Sequence, residues 1–394
     1  MSRIFVTGMG VISALGKNAE ENRQGLQSET CGMSHLDFLN TKFAGTLPFG
    51  EVKISNQELK NKLNLHSSGI TRTSLLALHA FEEAVNSAGI RDVLSSDDTA
   101  LIAASTVGGM CLTDEMFSDS NAKSGGSEYL SSYDFASPTL FLQSHYKIGG
   151  QINTINTACS SSANAIMYGA KLLKYGLAKR AIVGGSDSLA KFTINGFNSL
   201  GILSNENCRP FDEQRKGLNL GEGAAFLVLE KEEDCVGKKI FAELSGSANS
   251  NDAFHPSSLS EQGDGPYLSM SEALANAHLS VSDIDFINAH GTGTENNDLV
   301  ESRAMKRLFP TLPPFASTKS NTGHTLGAAS AIEAVFSIFS IEYQEIYKSL
   351  NFSQAIPETN AIPVLNHQKK VIRHVLSNSF GFGGNCSSLI FSKV

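Results

Sequence analysis

A cysteine, two histidines, a lysine and a glutamate in this chain stand in local settings where side chains can do chemistry. Cys159 falls in NTACSSSANAIMYGAKLLKYG, residues 156–176, between small polar residues and a long apolar run. Ser160, Ser161 and Ser162 favour a helix start and Gly176 a helix stop, while apolar residues from Ala163 to Leu173 cover almost every face. That pattern predicts a buried helix. The first N–H groups of a helix lack internal partners and carry part of its dipole, so a thiol placed there tends towards the nucleophilic thiolate. A core cysteine that merely precedes a helix is the alternative reading.

His290 follows the apolar stretch Phe286 to Ala289 and opens HGTGTENND, a placement at the carboxyl end of a strand. STKSNTGHTLGAASAIE, 317–333, carries Lys319, His324 and Glu333. Glu333 lies among Ala328, Ala329, Ala331, Ile332, Ala334 and Val335, which predicts a buried carboxylate with a paired donor rather than a solvated one. In SNSFGFGGNCSSLIF, 377–391, Phe380, Gly381, Phe382, Gly383 and Gly384 precede a final strand. Glycines here let backbone N–H groups approach a substrate oxygen or let a loop move, and a plain hairpin would also use them.

These residues need a scaffold, and the apolar pattern supplies one twice. The first half reads as a strand from Ile4, a helix over 74–88, a strand over 100–104, the Cys159 helix, and strands at 181–183 and 224–229. The second half repeats that order: 240–242, a helix over 270–277, a strand over 284–289, a helix over 327–340, and strands near Val375 and over 387–391. The turn-like EKEEDCVGKK at 230–239 suggests a division into 1–235 and 236–394. Alternating strands and helices imply α/β layers with helices on both faces, although two unrelated α/β domains would also satisfy the order. By this order the loop before the Cys159 helix and the loop carrying His324 are equivalent. Ligands collect at strand carboxyl ends and helix starts, so the two loops are expected to share one pocket. Gly8-Met9-Gly10 faintly suggests a dinucleotide loop, but position 13 is Ser13 and no helix clearly follows.

Composition narrows the classes. With 394 residues, 41% hydrophobic and 18% charged, the chain can bury a large core. A net charge of −8 without a basic tract argues against a nucleic-acid partner. No run is read as approaching the ~18 apolar residues of a membrane span, and the N-terminus lacks a secretory pattern. The six cysteines (31, 111, 159, 208, 235, 386) show no metal-ligand spacing, so no metal site and a reduced, cytoplasmic protein are expected.

Taken together, TACSSS, AHGTGTENND, KSNTGHTLGAAS and NSFGFGG, in this order, resemble the elongating β-ketoacyl-acyl carrier protein synthases of the thiolase superfamily. RPFDEQRKGLNLGEGAAFLVLE, 209–230, is similar to that family's segment closing the first half. The resemblance implies a five-layered αβαβα fold and usually a dimer, with a heterodimer of related subunits possible. It implies Cys159 as the acyl-carrying nucleophile and His290 and His324 as donors to an enolate formed by decarboxylation. Lys319 would position the His324 region, with Glu333 and Asp298 in support. An oxyanion hole would come from the N–H groups of Cys159 and Phe382, within a gate formed by Phe380 to Gly383. Thr292 and Thr294 would contact the pantetheine arm, and Val107 would limit the acyl pocket. The implied partner is an acyl carrier protein bearing acyl and malonyl groups; phosphopantetheine arrives on it, and no cofactor resides in the chain.

Relatives imply alternatives: a partner subunit shaping chain length, or a thiolase or acyltransferase without decarboxylation. Cys159 argues against the first. The second histidine argues against the second, since Cys386 lies too far along GFGGNC to act as a thiolase base. Departures from the family pattern are Ser330, where glycine is usual, and Asn385-Cys386, where Thr-Asn is common. Residues 249–265 resemble a second mobile loop, with Asp252 and His255 as candidates. Lys171, Lys174, Lys179 and Arg180, or Lys60, Lys62 and Arg72, offer basic patches for an acidic carrier.

Overall fold

The computed structural model describes residues 2–127 and 129–394. Its strands are β1 (Ile4–Ile12), β2 (Thr99–Ala104), β3 (Ile152–Ile155), β4 (Arg180–Asp187), β5 (Gly223–Lys231) and β6 (Ala242–Asn251), then β7 (Phe286–Asn288), β8 (Phe315–Ala316), β9 (Glu345–Ile346), β10 (Gln368–Lys369), β11 (His374–Phe380) and β12 (Asn385–Ser392). The helices are α1 (Ala19–Gln27), α2 (Asn56–Lys62), α3 (Arg72–Ala88), α4 (Thr113–Ala122), α5 (Ser137–Tyr146), α6 (Ser161–Lys174), α7 (Lys191–Ser199), α8 (Asp264–Ala277), α9 (Glu295–Leu308), α10 (Lys319–Thr322) and α11 (Ala329–Tyr343).

Ten strands are ordered β3-β2-β4-β5-β1-β6-β12-β11-β7-β8, and β9 pairs with β10 apart from them. Read outward from the centre, both sides run in the same order and directions. In the first, β1, β5 and β4 are antiparallel neighbours and β4, β2 and β3 are parallel. In the second, β6, β12 and β11 are antiparallel neighbours and β11, β7 and β8 are parallel. The two fives meet where Phe5 and Val6 oppose Glu243 and Ala242. The repeated plan expected from the apolar pattern is present in the topology.

Strand alternation generates the layers. Leu101 and Ala103 of β2 pack in one apolar cluster with α3, whereas Ala100, Ile102 and Ala104 join α6 and α11 in another. Val375 and Phe391 face that same central layer, and Leu376 and Ile390 face outward onto α8 and α9. Five layers result, αβαβα, with α6 and α11 buried between the sheets.

Gly8 and Gly10 belong to β1, which continues through Ile12 rather than turning into a phosphate loop. A Cβ on Gly10 would lie 2.2 Å from the Ala80 carbonyl oxygen, so these glycines admit α3 against the sheet. The structure also corrects the reading of membrane-length segments. Leu326–Tyr343 is long and apolar enough to cross a membrane by composition, but it is 89% buried here as the central α11 segment. β6 starts at Ala242, later than the strand expected at 240.

Candidate active site

The turn before α6 is tightly constrained. Ala158 adopts φ +54, in the left-handed region, immediately before Cys159. The Ser161 hydroxyl accepts from the Thr157 N–H at 2.9 Å and donates to the Ala158 carbonyl. Ser160 does not cap the helix; its hydroxyl donates instead to Asn385 Oδ1 at 2.7 Å. The starts of α6 and α11 are fastened to each other, with Ala331 N–H donating to Ser162 Oγ and Ser330 Oγ donating to the Cys159 carbonyl at 3.1 Å.

His324 arrives on the turn between α10 and α11 and places Nε2 3.0 Å from Cys159 Sγ. The Leu326 N–H donates to His324 Nδ1 at 3.1 Å, which puts the imidazole proton on Nε2. His290 follows β7 and stands edge-on to His324, with ring centroids 5.5 Å apart. Lys319 Nζ lies 3.1 Å from His290 Nδ1 and 2.6 Å from the His290 carbonyl, and it pairs with Glu333. An ammonium has only donors, so His290 also carries its proton on Nε2. The Lys319 ammonium thus meets His290, whereas the His324 region named by the resemblance meets Lys319 through the Lys319 carbonyl, which accepts from the Gly323 N–H at 2.9 Å.

One reactive atom from each of Cys159, His290 and His324 lies within 4.8 Å of the others. Three such ligands could hold a metal ion by count. Both Nδ1 atoms already accept hydrogen bonds, however, so each neutral ring presents an N–H rather than a lone pair, and Lys319 adds positive charge. The donor set suits an anion.

Burial pushes both imidazoles well below their ordinary range, and the Lys319 cation pushes them the same way, so they are neutral. Burial likewise pushes the Cys159 thiol up to about 11, against the opposing pull of Lys319 and of the Phe382 N–H. The expected tendency towards thiolate is thus overturned: a helix start does not offset the burial of the sulfur.

A cavity of about 440 Å³ has Cys159, His290 and His324 at its buried end, passes Thr292 and Thr294, and reaches exposed residues at its rim. A second, apolar cavity of about 460 Å³ begins at Cys159 and is lined by Met110, Phe192, Phe197, Leu200 and Leu326. Phe382 borders both and stacks on Phe197, with centroids 6.0 Å apart. Phe380 lies against the His290 ring, and Gly381 abuts the nucleophile turn: a Cβ there would be 2.7 Å from the Thr157 carbonyl oxygen. Gly383 has φ +83 and donates to the Pro256 carbonyl at 2.7 Å, which joins the gate to the 252–259 loop. In that loop Asp252 is tied to Ser260 and Gly265, while His255 is exposed.

Several expected residues fall elsewhere. Val107 does not line the apolar cavity; its neighbours Thr106 and Met110 do, while Val107 packs behind them with Phe49, Leu189 and Ile194. Arg72 is half-buried against the buried Glu222 and Arg180 is half-buried beside Glu230, so neither is a free surface cation; Lys179 pairs with Asp98. Cys386 lines neither cavity and packs behind the polar one, in a cluster with Leu259, Val300 and Phe380. Asp298 accepts from the Phe211 and Gly293 N–H groups and so shapes the 291–294 loop rather than touching the reacting atoms.

Two buried carboxylates escaped the sequence reading. Glu301 accepts from the His290 and Gly291 N–H groups, both at 2.8 Å. Asp187 accepts from Thr106, Val107 and Gly327 N–H groups, joining β4 to the start of the α11 segment. Asp298 and Glu301 are three apart on a polar helix, and that shared face was the available signal.

Residues 1–235 match the beta-ketoacyl synthase N-terminal domain, and residues 241–353 match the C-terminal domain. The chain belongs to the beta-ketoacyl synthase family. Among curated relatives, the mitochondrial 3-oxoacyl-[acyl-carrier-protein] synthase of Arabidopsis thaliana is 30% identical over 100% of this chain and 93% of its own length. The 3-oxoacyl-[acyl-carrier-protein] synthase 2 of Rhizobium meliloti is 32% identical over 100% and 99%. Of solved structures, the ishigamide ketosynthase/chain length factor superposes with a TM-score of 0.94 at 29% identity, covering 100% of this synthase and 99% of that chain. A beta-ketoacyl synthase from Burkholderia phymatum gives 0.88 at 28%, covering 100% of both. The five layers are accordingly the thiolase-like ketosynthase fold.

Proposed function

We propose that this chain extends a carrier-bound acyl group by two carbons through decarboxylating Claisen condensation. The observation that carries this reading is the convergence of the Cys159 sulfur with two neutral imidazoles that both present Nε2–H. Residues 1–235 would supply the nucleophile, and 236–394 the two histidines and the gate.

In the first half-reaction the Cys159 sulfur bonds to the acyl carbonyl carbon. The pantetheine sulfur leaves and takes up the thiol proton. The acyl tail lies in the apolar cavity, which frees the polar one for malonyl-pantetheine passing Thr292 and Thr294. The malonyl C–CO2 bond then breaks and its electron pair moves into an enolate. His290 and His324 donate to the enolate oxygen without giving up a proton, because both rings are neutral and oriented. The enolate carbon attacks the acyl thioester, whose oxygen is held by the Cys159 and Phe382 N–H groups, and the Cys159 sulfur leaves. CO2 and a 3-oxoacyl-pantetheine are released, and the Cys159 thiolate takes a proton from solvent water.

A partner-only, chain-length role is disfavoured because the thiol stands within reach of both cavities. A thiolase role is disfavoured because Cys386 lines neither of them. The partner in this reading is an acyl carrier protein, and the assembly a homodimer or a heterodimer with a related subunit. Six free cysteines suit a reducing, cytoplasmic setting. Incubation with acyl- and carboxyl-labelled malonyl-carrier protein should release one labelled CO2 per 3-oxoacyl product. A condensed product that retains the labelled carboxylate would overturn the assignment.

A further inference from the structure

The polar cavity has a charge at its rim that the condensation chemistry does not use. Among its described lining residues, histidines apart, the one cation is Lys216. Its side chain is 59% exposed, whereas Cys159 at the other end is 7% exposed. Among the described residues, Lys216 Nζ has a single ionic partner, the exposed Glu206 carboxylate at 2.7 Å. Neighbouring Arg215 is committed elsewhere: its guanidinium donates to the Thr294 and Glu295 carbonyls at 3.1 and 2.8 Å. The Glu295 side chain adds a second carboxylate to the same rim.

A pantetheine thioester whose carbonyl lies among Cys159, His290 and His324 has one end of its arm fixed at the buried end of the cavity. The arm then threads past Thr292 and Thr294 and must leave through the rim with its phosphate. Phosphate is a strong acceptor and an anion, and a flexible ammonium answers it as a point charge. The exposed pair with Glu206 is worth little, so exchanging it for a phosphate costs little.

We propose that Lys216 is the specificity residue for the phosphate of the pantetheine arm, and that Glu206 competes with that phosphate for the same ammonium. The inference rests on the condensing-enzyme reading for the arm's direction.

The test compares acyl thioesters of 4′-phosphopantetheine and of pantetheine, identical except for the phosphate. Two readouts are taken for each: KM for condensation, and the half-saturating concentration for loading of Cys159, followed by intact mass. The wild-type enzyme should favour the phosphorylated arm by roughly threefold to fivefold at low salt, and the preference should shrink as ionic strength rises. Lys216→Ala should bring the ratio of the two arms to about one, Lys216→Glu should invert it, and Glu206→Gln should enlarge it. An unchanged ratio in Lys216→Ala would overturn the inference while leaving condensation intact. If condensation fails but loading proceeds, the functional reading falls and the loading ratio still decides the role of Lys216. Loading from neither arm would overturn both.

Discussion

At the scale of single residues, protonation states organise the chemistry. The thiol is pushed up to about 11, so at neutral pH the free enzyme holds Cys159 as SH. Alkylation of Cys159 by iodoacetamide should therefore keep accelerating well past pH 9, with no plateau near neutrality. Cys159→Ala should accept no acyl group yet still decarboxylate malonyl-carrier protein, and normal elongation by that variant would refute the nucleophile. Each imidazole donor is expected to contribute about 2.7–4 kcal/mol to enolate formation, so His290→Ala or His324→Ala should slow CO2 release by a factor of ~10²–10³. Both rings are held neutral well below pH 6.5, so decarboxylation should stay level as pH falls from 8 through 6.5. A cation beside a base disfavours its protonation; Lys319→Met removes that cation, raises the His290 pKa and moves the acid limb upward. A pH–rate profile that does not move would contradict the role given to Lys319.

At the scale of elements, the gate strand and the nucleophile turn act as one unit. Asn385, at the start of β12, accepts hydrogen bonds from Ser160 at 2.7 Å, Asn164 at 2.9 Å and Asn249 at 2.7 Å. One amide thus connects the gate, the start of α6 and β6. Asn385→Leu removes this shared acceptor while each donor keeps a second partner, Thr157 for Ser160 and Asn164 and Ser387 for Asn249, so it should lower stability by only about 0.5–1.5 kcal/mol in chemical denaturation. Gly381→Ala places a Cβ against the Thr157 carbonyl and should slow acyl loading more than malonyl decarboxylation, measured separately on the same preparation. Equal loss of both would mean that the site as a whole had moved.

At the scale of the whole molecule, the repeat creates the site by bringing equivalent loops together across α6 and α11. Buried charges hold the periphery to this centre. Arg72, at the start of α3, pairs with Glu222, which also accepts from the Val52 and Leu189 N–H groups at 3.0 and 3.1 Å. Arg72→Ala leaves Glu222 buried without its cation and should cost about 3–5 kcal/mol of stability. A loss near zero in the denaturation midpoint would show that water replaces the guanidinium there.

The apolar periodicity of 74–88 and 327–340 and the repeated order of elements were local signals for α/β layers, while the five layers and the grouping of Cys159 with both His290 and His324 came from the resemblance carried by the four motif loops. Short or polar elements such as β8 and α9 carried too little pattern to be read. What depended on distant chain segments became visible only on folding: Lys319 reaching His290 rather than His324, Arg72 disappearing onto Glu222, and Val107 withdrawing behind Thr106. The thiol was misjudged for the same reason. A helix start is written in neighbouring residues, but desolvation depends on everything packed around the sulfur, and here the larger effect is the one that sequence neighbours do not encode.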